Sequence, residues 1–156
     1  MAAHLIGVIS DTHGLLRPEA VQALQGVELI IHAGDVGEPK ILARLSRIAP
    51  VRAVRGNTDR GEFGGSLPLT RVVEVGGLHL YVLHELFTLD LDPKAAGLAA
   101  VIYGHSHRPR AEYKDGVLYL NPGSAGPRRF TLPVTLARLH LDGHICKPEF
   151  LNLLEP

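Results

Sequence analysis

The chain has 156 residues, 46% apolar and 21% charged, enough to bury a core in one domain over residues 1–156 and too apolar for a disordered segment. Lysine plus arginine equals aspartate plus glutamate at 16 each, so no global basic field gathers nucleic acid or an anionic membrane. Cys146 is the only cysteine, which excludes an internal disulfide and suits a reducing compartment.

Met1-Ala2-Ala3-His4 carries no basic stretch leading into a signal core. No apolar run approaches the ~20 residues that a membrane-crossing helix needs. A soluble, cytoplasmic protein is expected. His4 to Ser10 reads as a strand whose near-continuous apolar run (Leu5, Ile6, Val8, Ile9) suits burial on both faces. Pro18 opens a helix through Gln25, which Gly26 stops. Val27 to His32 is a second buried strand, ending in Ala33-Gly34-Asp35. Pro39 begins another helix, with Ile41, Leu42, Leu45 and Ile48 on one face. Val51 to Val54 is a third strand, ending at Arg55-Gly56-Asn57. Arg60 to Ser66, with three glycines, reads as a flexible loop beside these strand ends.

From Leu69 the pattern turns strand-rich. Arg71 to Val75 and Leu78 to His84 form a hairpin across Gly76-Gly77. Pro93 to Leu98 spans a short helix before the strand Ala99 to Tyr103, and further strands cover Arg110 to Lys114, Val117 to Leu120 and Val134 to Leu141. A parallel β-loop-α first half and a strand-rich second half predict two packed, mixed β-sheets flanked by helices, an α/β fold.

Polar clusters follow the apolar runs: Asp11-Thr12-His13, Gly34-Asp35, Gly56-Asn57, His84 and Gly104-His105-Ser106-His107. Open parallel sheets place their ligands at such strand ends. Asp11 and His13, one residue apart, direct both side chains the same way if their segment is extended. Each cluster alone has an ordinary explanation: Asp11 as a cap, Asp35 as an Asx-turn or N-cap, Asn57 as a turn residue. Together, the seven oxygen and nitrogen donors of Asp11, His13, Asp35, Asn57, His84, His105 and His107 match what two metal ions sharing a carboxylate require. The absence of thiolate and the mix of carboxylate, amide and imidazole suit Mn²⁺, Fe²⁺, Co²⁺, Ni²⁺ or Zn²⁺ and disfavour a structural zinc site.

This pattern, D-x-H, G-D, G-N-x-D, H and G-H-x-H, resembles the calcineurin-like metallophosphoesterase superfamily. The chain length and Asn121-Pro122-Gly123-Ser124 are similar to its small YfcE-like phosphodiesterase branch. The resemblance implies two divalent ions, manganese foremost, with Asp11, His13 and His107 on the first, Asn57, His84 and His105 on the second, and Asp35 bridging. It implies hydrolysis of a small phosphoester by in-line attack of a metal-bound hydroxide, with Asp35, Asn57 and His84 in catalytic positions and Asn57 also touching a phosphate oxygen. Thr58 stands where the family often carries a histidine that assists the leaving group, which leans toward diesters. Glu85 stands where glycine is usual and brings a carboxylate to that rim.

Competing expectations on the same fold are a non-catalytic scaffold, as in a retromer subunit of this superfamily, and a phosphomonoesterase or nucleotide pyrophosphatase. Arg108, Arg110, Arg128 and Arg129 are expected in solvent, and Ser124 in a turn. Oligomeric state is left open by the sequence.

Overall fold

Short apolar runs at the start of the chain are covered on both faces and lie side by side. In the computed structural model, which describes residues 3–154, Ala3–Ile9 (β1), Leu29–His32 (β2) and Val51–Ala53 (β3) are parallel neighbours. Met1 and Ala2, part of the N-terminus read above, lie outside the described residues. The helices Pro18–Ala23 (α1) and Pro39–Leu45 (α2) link these strands. Each has proline in its first turn, where a missing N–H loses no hydrogen bond. The helix expected to reach Gln25 stops at Ala23, short of Gly26 in left-handed backbone at φ +88°.

The second sheet contains Thr70–Val75 (β4), Leu78–Leu83 (β5), Ala100–Ile102 (β6), Arg110–Lys114 (β7) and Val117–Asn121 (β8), in the order β4-β5-β6-β8-β7. Strands β5, β6 and β8 are parallel, and the outer strands run antiparallel to them.

Sequence and structure part further in the later strands and loops. Thr135–Asp142 (β9) does not join the second sheet but returns to pair antiparallel with β1, Ile6 opposite Leu139. Ala137, Leu139 and Leu141 lie between the sheets and Leu136 faces the helices, while on that outer face Arg138 is half-buried and His140 and Asp142 are exposed; the strand is interior because both of its edges are paired. Ile145–Asn152 (β10) is a strand the sequence does not announce; it closes the first sheet, order β10-β9-β1-β2-β3. Pro148 sits within it, tolerated because an edge strand needs no donor on its open side. Gly61–Gly65 (α3) is a short helix where a flexible loop is expected. Conversely, Pro93 to Leu98 form turns rather than a helix, stitched by Ala96 N–H to Asp92 O and Leu98 N–H to Pro93 O and ended by Gly97 at φ +74°.

Alternation sorts the core. Ile6, Val8 and Ile31 meet Leu80, Val82, Ile102, Leu118 and Leu120 between the sheets. Ile9, Ile30 and Leu136 face the helices with Leu24, Ile41 and Leu45. The helices thus flank the first sheet, while the outer face of the second (Tyr81, Leu83, Val101, Tyr103) lies under Leu86, Leu89, Leu91 and Leu98 of an irregular segment. Among the described residues no helix is long and apolar enough to cross a membrane.

Leu118 is fully buried between the sheets. Leu118→Ala should lower the unfolding free energy by ~2–5 kcal/mol in urea titration. A loss below ~1 kcal/mol would mean that this layer collapses freely around the gap.

Candidate metal centre

All the sequence-predicted donors follow strands of two sheets. Asp11 follows β1, Asp35 follows β2 and Asn57 follows β3, while His84 follows β5 and the pair His105 and His107 follows β6. Asp11, Asp35, His84 and His107 are buried, His13 is half-buried, and Asn57 and His105 are exposed at the mouth.

Asp11 and His13 are not on an extended segment, contrary to the sequence expectation. Both occupy left-handed backbone, at φ +55° and +45°, as do Asp35 (+55°), His105 (+76°) and His107 (+63°). Outside glycine, Asp and His are among the residues that tolerate this region best, at roughly 1 kcal/mol or more per position. The curled loop is held by its neighbour: Asp11 N–H donates to Gly34 O (3.0 Å), His13 N–H to Asp35 O (2.9 Å) and Gly14 N–H to Val36 O (2.8 Å). The motif glycines leave room for the donors. A Cβ on Gly104 would lie 2.7 Å from Asp11 Oδ2, and one on Gly56 would overlap the Asp35 backbone nitrogen and carboxylate.

Two sets of donor atoms result, each lying mutually within 4.8 Å: Asp11, His13 and His107, and Asp11, Asp35 and His84. Asp11 Oδ1 stands 3.7 Å from His13 Nε2, 3.4 Å from His107 Nε2 and 3.8 Å from His84 Nε2. Asp35 Oδ2 stands 3.6 Å from His13 Nε2 and 3.1 Å from His84 Nε2. Both carboxylates therefore lie between histidines of the two sets. Asn57 and His105 extend the second set outward, with Asn57 Oδ1 3.2 Å from His105 Nδ1 and the His105 ring edge-on to His84 at 5.3 Å.

The polar atoms at the centre lack partners. Asp11 Oδ1, His13 Nε2 and His84 Nε2 are buried without a hydrogen bond. His84 Nδ1 lies 2.7 Å from Ala33 O, which only an N–H satisfies, so neutral His84 turns its Nε2 lone pair toward two carboxylates. Such an array requires a cation, a proton or a metal ion, and the donors are of the type that borderline divalent ions prefer. Burial raises the Asp11 carboxyl pKa, but His107, His13 and His84 outweigh it and hold the group well below the usual range. Asp35 is likewise lowered, burial being overcome by His84 and by the Thr58 N–H that it accepts at 2.9 Å. The Asp11 carboxylate holds the His13 pKa above its ordinary 6.5 against burial and the opposing charge of Arg129. His84 is also raised, burial being overcome chiefly by Asp35.

Several supporting residues escape a search for donor motifs. His32 ends β2, fully buried, and burial pushes its pKa down to about 4. The Thr12 hydroxyl donates to Val36 O (2.8 Å), so His32 Nε2–H donates to Thr12 Oγ1 (3.0 Å), while Nδ1 accepts Gly34 N–H (3.2 Å). This neutral ring clamps the first donor loop to the second; a lone polar residue in an apolar strand is its only sequence signal. Ser10 Oγ–H donates to Asp11 Oδ2 at 2.7 Å. Asn121 Nδ2 donates to Gly104 O at 3.0 Å, and the Ser124 hydroxyl is committed to Asp11 O at 3.0 Å. Glu85 belongs to neither donor set and lines a cavity of about 300 Å³ with Arg55, Thr70 and Thr88.

Asp59 is buried and accepts the backbone N–H groups of Val36 (3.2 Å), Gly37 (3.1 Å) and Gly56 (2.9 Å), joining the Asp35 and Asn57 loops. Asp59→Ala leaves these donors unpaired and should cost about 3 kcal/mol in chemical denaturation. A loss under ~0.5 kcal/mol would show that the loops hold without this carboxylate.

Known proteins resemble this chain in sequence and in fold. Residues 5–144 match the model of the calcineurin-like phosphoesterase superfamily domain. A protein of Methanothermobacter thermautotrophicus named "probable metallophosphoesterase" is 37% identical, covering 97% of this chain and 94% of its own. Phosphodiesterase YfcE of Escherichia coli is 28% identical over 85% of each. Among solved structures, a predicted phosphoesterase from Streptococcus pneumoniae superposes with TM-score 0.77 at 30% identity, covering 97% of this chain and 91% of its own. Vps29 of Chaetomium thermophilum also superposes with TM-score 0.77, at 21% identity over 95% and 96%, a likeness of fold alone. With its family model matched over residues 5–144, the chain belongs to the calcineurin-like phosphoesterase superfamily.

Proposed function

We propose that the protein is a phosphodiesterase that works with two divalent metal ions. The observation that carries this reading is the set of buried, unpartnered carboxylate and imidazole atoms converging at the strand ends. In this reading Asp11, His13 and His107 hold one ion, Asn57, His84 and His105 the other, and Asp35 is shared. Asp11 Oδ1, within 3.8 Å of histidines of both sets, contributes negative charge to both positions. Manganese is the first ion to test, with iron, cobalt, nickel and zinc compatible with the same donors. Bound there, such ions supply hydroxide near neutral pH and offset charge on the phosphoryl oxygens.

The residues do the positioning. Asp35 keeps Oδ1 on the Thr58 N–H and leaves Oδ2 toward His84, so its two oxygens are held in separate roles. His84 is oriented by its Nδ1–H bond to Ala33 O, which presents Nε2 inward. Asn57 is exposed at the mouth, and in this reading its amide meets a phosphate oxygen as well as the ion. Thr58 offers no protonable side chain, which in this reading favours weakly basic leaving groups, aryl over alkyl, while the lean toward diesters comes from the family pattern. The competing scaffold reading is disfavoured because all seven donor positions are filled.

Asp35→Asn should abolish binding of both ions and lower hydrolysis of bis(p-nitrophenyl) phosphate at least ~100-fold, more than the loss of a supporting partner of a ligand. Metal counting alongside the assay checks this, and two retained ions with near-normal turnover would refute the shared role.

The pH dependence of metal uptake follows from the raised pKa values of His13 and His84. Both keep a proton above pH 6.5 in the metal-free chain, and an ion must displace it. Asp11 and Asp35, lowered, are ionised throughout the neutral range and add no dependence there. Affinity should therefore rise with pH through the window above 6.5 and level off once both rings are neutral. Calorimetry in buffers of different ionisation enthalpy should register proton release at pH 6.5; uptake without release would contradict the assignment.

A further inference from the structure

Phe87 is 78% exposed, next to the mouth of the donor cluster. Its ring lies 6.4 Å from the His105 ring at 66°, and His105 in turn stands edge-on to His84 at 5.3 Å. Three rings thus run in file from the buried donors to solvent. The 3₁₀ turn Leu86–Thr88 carries Phe87 and is firmly held. Thr88 donates to Glu85 O from both its amide (3.0 Å) and its hydroxyl (2.6 Å), and Leu89 N–H donates to Leu86 O (3.0 Å). Leu86, Leu89 and Leu91 pack onto the outer face of the second sheet. The flanking leucines turn inward and Phe87 is left outside, where its burial contributes little to the fold. A lone exposed phenylalanine needs no explanation by itself. This one is held at a fixed place beside His105, at the exposed end of the file of rings.

We propose that Phe87 is a specificity residue whose ring stacks on a planar aromatic group carried by the ester substituent of the substrate, from an aryl or a nucleoside ester. The inference rests on the phosphoesterase reading above. Phosphoryl oxygens are taken up at the buried donors, and the organic group projects past His105, where an aromatic face offers offset or edge contacts. Alkyl substituents gain less there because they lack the flat surface. Base-on-aromatic stacking of this kind tolerates any ring system, so the contact selects aromatic over aliphatic esters without reading which ring is present.

Binding to the manganese-loaded protein tests the proposal without turnover. Calorimetry is run with methylphosphonate, phenylphosphonate and thymidine 5′-monophosphate. Phenylphosphonate or the nucleotide should bind about tenfold more tightly than methylphosphonate, the scale of one aromatic contact. The tighter of the two tells which source of ring fits. In Phe87→Ala the preference should fall to about one, and Phe87→Tyr should keep it. An equal affinity of the wild-type protein for all three, or a preference that survives Phe87→Ala, would overturn the role of Phe87. Failure of the loaded protein to bind any of the three would overturn the phosphoesterase reading itself, and the stacking role with it.

Discussion

Two carboxylates, Asp11 and Asp35, are buried where the parallel strands of the first sheet end. Removing negative charge from water is costly unless it is met by opposite charge and hydrogen bonds. The protein meets part of that requirement, with Ser10 Oγ–H and His105 N–H on Asp11 Oδ2 and Thr58 N–H on Asp35 Oδ1. The remaining oxygens face imidazole nitrogens across gaps of 3.1–3.8 Å without hydrogen bonds. The surrounding loops are arranged to sustain this imbalance. Their architecture makes sense as a cradle for positive charge that the side chains alone do not provide.

Holding that cradle open requires backbone that most residues avoid. Five of the seven donor residues are left-handed, and hydrogen bonds to another loop hold Asp11, His13, Asp35 and His105. Rigidity comes from polar groups that remain uncharged or fully occupied. His32, neutral at physiological pH, ties Thr12 to Gly34, and Asp59 binds three amides across two loops. Strain at the donors and satisfaction just behind them are two aspects of one design, as expected where geometry must be fixed before a ligand arrives.

Much of this was legible in the residues, for identifiable reasons. The runs Leu5–Ile9 and Leu29–Ile31 are apolar on both faces and read as interior strands, which marks the strand ends and with them Asp11 and Asp35. His105 and His107 announced themselves by following a buried strand after glycine. The left-handed backbone was not visible, because period-two reasoning assumes an extended chain at Asp11-Thr12-His13. Strand β10 was hidden by Pro148 and its exposed side chains, which mimic a loop, and β9 carried no mark of which sheet it joins, since that is decided by tertiary pairing. His32 was invisible as a support because its role depends on Thr12 and Gly34, brought together only by folding. At Pro93 to Leu98 the segment is closed by left-handed Gly97 before a helix can extend.

The position of β9 bears on the order in which the molecule is made. Residues 3–9 have their β2 partner soon after synthesis, but their other edge pairs with residues 135–142. Ser124 and Ala125, which bind Asp11 O and Ser10 O, also come late. The Asp11 loop is therefore translated well before the segments that complete its set of neighbours. Half-made chains on the ribosome carry the carboxylates on an unfinished sheet with an open edge, the kind of surface that chaperones shield. Arrival of residues 124–142, rather than of any local segment, is what matures the donor cluster.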